Sequence, residues 1–409
     1  MKIIRFLVII SFFYSCNNIE KSEKKLVFNT KPAETFIEIM EHLFQNEMNI
    51  QSDSLTDSLN FSNNEKDLIL NEKLEKLFSF PIYESLSNIM IAHKNGVKLQ
   101  NKEAYKAGFY DLPNLNVDMS SGVNQQWKEW RKKGNFKKSF EFINNIKQQQ
   151  LNISNNSKDK IKHLLPKNKT MDKNVEVSFC FDGNRGSYTT DSIIVMDMLD
   201  FKNYNITNFT NVLAHELHHI VYGDWINYNY DKSTMSEKQK TFLSYQKRIL
   251  MEGIAQQINY LDYKKEIKDL YFNNELMLEL SDDWFNSLRE INSSQNPTEY
   301  YNSFKNTMWN NGFDKLKKYY KGKIDDSAFE RRPIIDYYIS YYLYFAINKN
   351  GGKERLDYVI NHPESLLNEY NVLRKKENLI PLIPDDIKKI WENNLVKSRK
   401  KPAENTSYN

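Results

Sequence analysis

The chain has little cysteine: 2 in 409 residues, at positions 16 and 180. That excludes a disulfide-stapled scaffold, so the fold has to be held by apolar packing. Charge of one sign is also missing. Lys and Arg number 57 against 53 Asp and Glu, a net charge of +4, which is short of the concentrated basic surface that nucleic acid as a main partner would require. Beyond the N-terminus no apolar run is long enough to span a bilayer, which takes about 20 residues. No internal repeat marks a solenoid or an array.

The N-terminus itself is apolar. Lys2 and Arg5 give a basic start to a short apolar run that reaches Tyr14, and the small residue Ser15 precedes Cys16. That order makes an export signal, and Ser15-Cys16 looks like the lipobox of bacterial lipoproteins. Residues 1–15 are therefore expected to be a signal peptide. Cys16 would be the lipidated first residue of an exported bacterial lipoprotein, anchored in the periplasm or at the outer membrane, with residues 16–30 as its tether. The 394 residues that remain (409 minus 15) suffice for two or three packed units.

Residues 31–165 read as helices with polar connections. Phe36, Ile37, Met40, Leu43 and Phe44 mark one helix, Leu68 through Phe78 another that ends near Pro81, and a third ends near Gly96. The segment 127–138 mixes Trp127 and Trp130 with lysines and Arg131, as the solvated face of an amphipathic helix does. At 175–181 the period changes to two. Val175, Val177, Phe179 and Phe181 alternate, which makes Cys180 a strand residue and not a nucleophile. Turn residues at 182–186 and a second apolar run at 192–196 complete a predicted hairpin. Farther on, Pro333 opens a helix that closes at Gly351-Gly352. Residues 351–395 read as a helical C-terminal cap and 396–409 as a disordered tail.

Between hairpin and cap lies His215-Glu216-Leu217-His218-His219, an H-E-x-x-H pattern. On a helix, residues four apart are offset by only about 40° and rise roughly 6 Å, so two imidazoles converge on one metal ion from adjacent turns. Zn2+ suits two neutral imidazoles and a carboxylate, and a fourth position left to water makes a hydrolytic site. Glu216 is then placed as the general base. The context is helical: Phe209, Val212, Leu213, Leu217 and Ile220 form one apolar stripe, Thr207 or Asn208 can cap the start, and Gly223 can end it. His218 falls on the side away from the stripe, at an exposed position or one behind the ligands.

The third ligand is expected from Glu252, on a helix opened by the capping box Thr234-x-x-Glu237 and continued by Phe242, Tyr245, Ile249, Ile254 and Ile258. Gly253 and Ala255 flank it, and small residues would let this helix approach the first closely enough for a short carboxylate to reach the metal. Asp224, five residues after His219, is the alternative.

These segments resemble the gluzincins, zinc peptidases in which H-E-x-x-H is followed by a Glu ligand on a later helix, and most closely the zinc-dependent peptidases found among bacterial lipoproteins. The resemblance is carried by residues 215–219, by Glu252-Gly253-Ile254-Ala255 and by the tyrosine-rich segment 337–344, and it covers residues 175–350. It implies a mainly α fold with a small β-sheet (α+β), in which a zincin-like core over 166–350 is flanked by the helical region 31–165 and the helical cap. It further implies Zn2+ on His215, His219 and Glu252, a peptide or protein substrate, and Tyr337, or else Tyr338, as donor to the oxyanion of amide hydrolysis. In zinc peptidases of this kind a strand before the metal helix pairs with extended substrate, so one of the two predicted strands should line the cleft. A competing reading is a non-catalytic envelope lipoprotein that binds a polymer or protein partner, its metal site structural or absent. Glu216 speaks against it, because a structural site has no use for a carboxylate beside the metal.

Overall fold

Two strands with apolar side chains on both faces need cover on both sides, and the architecture follows from that demand. The computed structural model describes residues 25–48, 68–88, 90–94, 96–110, 118–119, 134–181, 186–190, 192–201, 204–230, 232–259, 274–303, 314–315, 318, 334–377 and 381–399. Among them, four strands form one sheet: β1 (Leu26–Asn29), β5 (Val175–Cys180), β6 (Ser187–Thr190) and β7 (Ile193–Asp197), in the order β1-β5-β7-β6. Three more, β2 (Ile91–Lys94), β3 (Val97–Gln100) and β4 (Asp118–Met119), make a small second sheet. The twelve helices among the described residues are α1 (Lys31–Met48), α2 (Leu68–Phe78), α3 (Pro81–Ser87), α4 (Asn101–Tyr110), α5 (Gly134–Lys162), α6 (Met198–Phe201), α7 (Ile206–Asn229), α8 (Glu237–Asn259), α9 (Asn274–Ser293), α10 (Ile334–Asn361), α11 (Leu366–Glu377) and α12 (Asp385–Ser398). The protein is therefore mostly helical with a small sheet, the α+β class expected.

In β5, Val175, Val177 and Phe179 are buried, and so are Ser178 and Cys180 on the opposite side. Helices reach it from the N-terminal region and from the centre of the chain. Phe36 of α1 stacks on Phe181 with ring centroids 4.7 Å apart, and Phe209 of α7 stacks on Phe179 at 6.0 Å. Tyr83 of α3 accepts a hydrogen bond from the Phe181 backbone N–H at 2.9 Å. The helices of 31–165 thus cover the sheet directly.

The pairing corrects two expectations. The apolar runs 175–181 and 192–196 are not the two arms of a hairpin: β5 and β7 are parallel, Val177 opposite Ile194. The hairpin is β6–β7, with Thr190 opposite Ile193. Strand β6, Ser-Tyr-Thr-Thr, has no apolar alternation to betray it, and as the edge strand it needs none. The tether predicted for 16–30 also gives way in part, because Leu26–Asn29 is a sheet strand parallel to β5, Leu26 opposite Val175. That pair is separated by 149 residues and leaves no local trace.

Smaller differences have local causes. Gly96 does not end a helix; at φ +79° it turns the β2–β3 hairpin. Pro81 begins α3 as well as ending the preceding run, as its fixed φ and missing N–H allow. Gly352, at φ +74°, breaks α10 where the Gly-Gly pair was expected to close it. The tail begins later than 396: α12 runs to Ser398, and Arg399 bridges to Tyr230 and donates from Nη1 to Glu364 Oε1 at 2.9 Å. Residues 1–24, with Cys16, and 127–133 lie outside the described residues, while 134–138 form the start of α5. No helix among the described residues is long and apolar enough to cross a membrane.

Candidate metal centre

Helix α7 carries the H-E-x-x-H residues and is buried on nearly all sides: Leu213, Ala214, His215, Glu216, Leu217, His218, His219 and Ile220 are all in the interior. Its start is capped by Asn205, whose Oδ1 accepts from the Asn208 N–H at 2.8 Å, two residues before the nearer of the caps the pattern suggested. Nor does Gly223 end it. The helix continues to Asn229, and Gly223 serves as a crossing point, since a Cβ there would lie 3.4 Å from Met251 Cε and 3.7 Å from Lys247 of α8.

His218 is correspondingly not exposed. It is fully buried, with Nε2 3.1 Å from the carbonyl of Leu164 and the ring stacked on Tyr222 at 5.2 Å. Burial first, then the neighbouring His219, pushes its pKa down to about 3, so the ring is neutral and donates to Leu164. The stripe misplaced it because the far side of α7 is covered by the chain following α5 and not by water.

Helix α8 opens with Ser236 and Gln239, not with Thr234 and Glu237. The Gln239 N–H donates to Ser236 Oγ at 3.3 Å, and the Ser236 N–H donates back to Gln239 Oε1 at 2.9 Å, a reciprocal capping box. Four turns on, Glu252 points at α7. Its Oε2 lies 3.6 Å from His215 Nε2 and 3.4 Å from His219 Nε2, and the two nitrogens are 2.9 Å apart. Three ligands at 2.0–2.1 Å around a tetrahedral zinc would be about 3.4 Å from one another. Two sides of the observed triangle, 3.4 and 3.6 Å, match that spacing, and the third, between the two nitrogens, is shorter at 2.9 Å. Glu252 Oε2 is moreover buried without a hydrogen-bond donor. Burial pushes the Glu252 carboxyl up, but His219 and His215 beside it hold it well below the usual carboxylate range. Burial lowers His219, and the charge of Glu252 more than restores it, leaving it raised. The residues present fit a divalent cation.

Asp224 is not part of this group; its carboxylate pairs with Lys173 Nζ at 2.8 Å. Glu216 lies buried in the same helix, and its Oε1 accepts a 2.7 Å hydrogen bond from Ser187 Oγ at the start of β6. Sequence reasoning missed Ser187, a polar residue on a strand without pattern. Tyr338 lies in the apolar core of α10 at 6% exposure, while the side chain of Tyr337 is outside the described residues.

Gly253 has a different partner from the one expected. A Cβ there would sit 2.5 Å from Tyr344 Cδ2 and 2.7 Å from the Ser340 carbonyl oxygen, so the glycine admits α10, not the metal helix. α8 is held between α7 and α10, and the close approach of α10 fixes the position from which Glu252 reaches across.

A small sheet beside a helix with two inward imidazoles, joined by a carboxylate from a second helix, has the composition of a zinc-binding hydrolase centre. Over residues 25–379 the chain matches the family described as "Putative zinc dependent peptidase (DUF5700)". The match covers most of the chain, and the protein belongs to that family. Comparison with the curated proteins and with the solved structures finds no match.

The two glycines separate by prediction. Gly253→Ala should lower stability by about 1–3 kcal/mol through overpacking against backbone and weaken zinc binding. Gly223→Ala faces only flexible side-chain ends and should be neutral or gain up to about 1 kcal/mol of helix propensity. Thermal unfolding with zinc titration checks both; a Gly253→Ala variant as stable and as zinc-avid as the parent would refute the packing argument.

Proposed function

We propose that the protein is a zinc metallopeptidase of gluzincin type, with His215, His219 and Glu252 as the metal ligands and Glu216 as the general base. The observation that carries the reading is the triangle of His215 Nε2, His219 Nε2 and Glu252 Oε2, with the Glu216 carboxylate buried on the same helix. Bound zinc supplies a Lewis acid that polarises the peptide carbonyl and makes water a nucleophile near neutral pH. Glu216 takes the proton of the attacking water and passes it to the departing amine. A phenol of α10, Tyr337 or Tyr338, donates to the oxyanion. Strand β6 is one of the two edges of its sheet and touches Glu216 through Ser187, which supports an extended substrate adding to β6 by main-chain hydrogen bonds. The chain would act on peptides or proteins outside the cytoplasm, as an envelope lipoprotein anchored through Cys16.

Ligands and base separate by metal analysis. His215→Ala and His219→Ala should lose zinc outright and Glu252→Ala most of it, whereas Asp224→Ala keeps it. Glu216→Gln should hold zinc normally and cleave a peptide library at least about 10²-fold more slowly. If Asp224→Ala empties the site while Glu252→Ala does not, the ligand assignment is wrong; if Glu216→Gln is fully active, the enzyme reading is.

For the oxyanion donor, either Tyr337→Phe or Tyr338→Phe should lower kcat by a factor of roughly 10² to 10³ with zinc retained. Full activity in both variants would place the donor elsewhere.

For the anchor, Cys16→Ala should release the protein from membranes or leave the precursor uncleaved. Unchanged membrane fractionation of that variant would count against lipidation.

A further inference from the structure

We infer that Ser187 is a positioning residue for the general base: its hydroxyl fixes one oxygen of Glu216 so that the other faces the attacking water. The inference rests on the peptidase reading above and adds a residue to it. The geometry is specific. Ser187 Oγ donates to Glu216 Oε1 at 2.7 Å, in the range of hydroxyl-to-carboxylate bonds with an ionised acceptor. The donor is the first residue of the edge strand, and three features hold it there. Gly186 takes φ +67° to start the strand, its carbonyl accepts from the Asp197 N–H at 2.9 Å, and Ser187 itself lies opposite Met196 of β7. The hydroxyl is therefore carried by a strand whose register is set by the central sheet, while its acceptor is carried by the metal helix.

A glutamate side chain has three rotatable bonds, and a base that drifts by about 1 Å can lose on the order of 10² in rate. The imidazoles of His215 and His219 carry their Nε2 atoms toward Glu252. Ser187 supplies the restraint from outside the helix. It also links the base to the sheet edge that would receive substrate, so that seating a chain on β6 and aiming the base depend on one residue pair.

The test uses the full-length zinc-loaded protein and a peptide that the parent cleaves. Ser187→Ala should lower kcat by about tenfold or more with KM and zinc content within about twofold of the parent, and Ser187→Thr, which keeps the hydroxyl, should restore most of kcat. In a Glu216→Gln background Ser187→Ala should have little further effect, since the base is already lost. A second readout is independent of turnover. In thermal unfolding, the Tm losses of Ser187→Ala and Glu216→Ala should sum to more than the loss of the double variant, because both remove one bond. A Ser187→Ala enzyme with parental kcat, or strictly additive Tm losses, overturns the inference while the peptidase reading stands. A zinc-loaded parent that cleaves no peptide overturns the reading itself, and the inference with it.

Discussion

An ionised carboxylate taken out of water costs several kcal/mol unless positive charge meets it, and Glu252 is held to that condition at the centre of this fold. Its Oε2 is buried with no donor among the described residues, and the two imidazoles of α7 close on it. A proton on the His219 side or a divalent cation between the three atoms answers the same demand. Metal and proton therefore compete for one site, and uptake of the metal must release any proton held there. Without one or the other, the packing of α8 on α7 would bring an uncompensated charge into the interior.

The helices deliver that carboxylate by contact on both sides. On one flank Gly223 of α7 lies under Met251 and Lys247; on the other Gly253 lies under Ser340 and Tyr344 of α10. Each glycine removes a side chain from a helix crossing, and the two crossings bracket Glu252 by one residue on either side along α8. The sheet supplies the remaining part. Its two central strands, β5 and β7, are largely buried, and of its two edges, β1 and β6, the antiparallel β6 is the one that touches Glu216.

Much of the site was legible because it is periodic. Helical spacing alone brings His215 and His219 to one face, and Glu252 was expected beside them from small residues on a helical repeat, although Gly253 proved to serve a different neighbour. What could not be read was whatever depends on distant chain. For His218 the pattern left open an exposed position or one behind the ligands, because periodicity knows only its own helix, while Leu164 and the chain after α5 cover it. Ser187 sits on a strand with no alternation, so nothing local marks it. The hairpin was misassigned because a strand buried on both faces looks the same whether its neighbour is parallel or antiparallel. Strand β1 looked like tether because its partner lies far along the chain.

That last strand has a consequence for assembly. The residues of the metal centre, from His215 to Glu252, lie on two consecutive helices and need only a short loop to meet. The sheet is the reverse case: Leu26 pairs with Val175, so the first of the described strands waits for a partner 149 residues later. At about 5–20 residues per second, the wait is roughly 8–30 s, during which a strand with Val27 and Phe28 has no ladder to join. Closing so long a loop is entropically slow compared with docking neighbouring helices. The N-terminal strand can therefore join the sheet only after its partner β5 has been made.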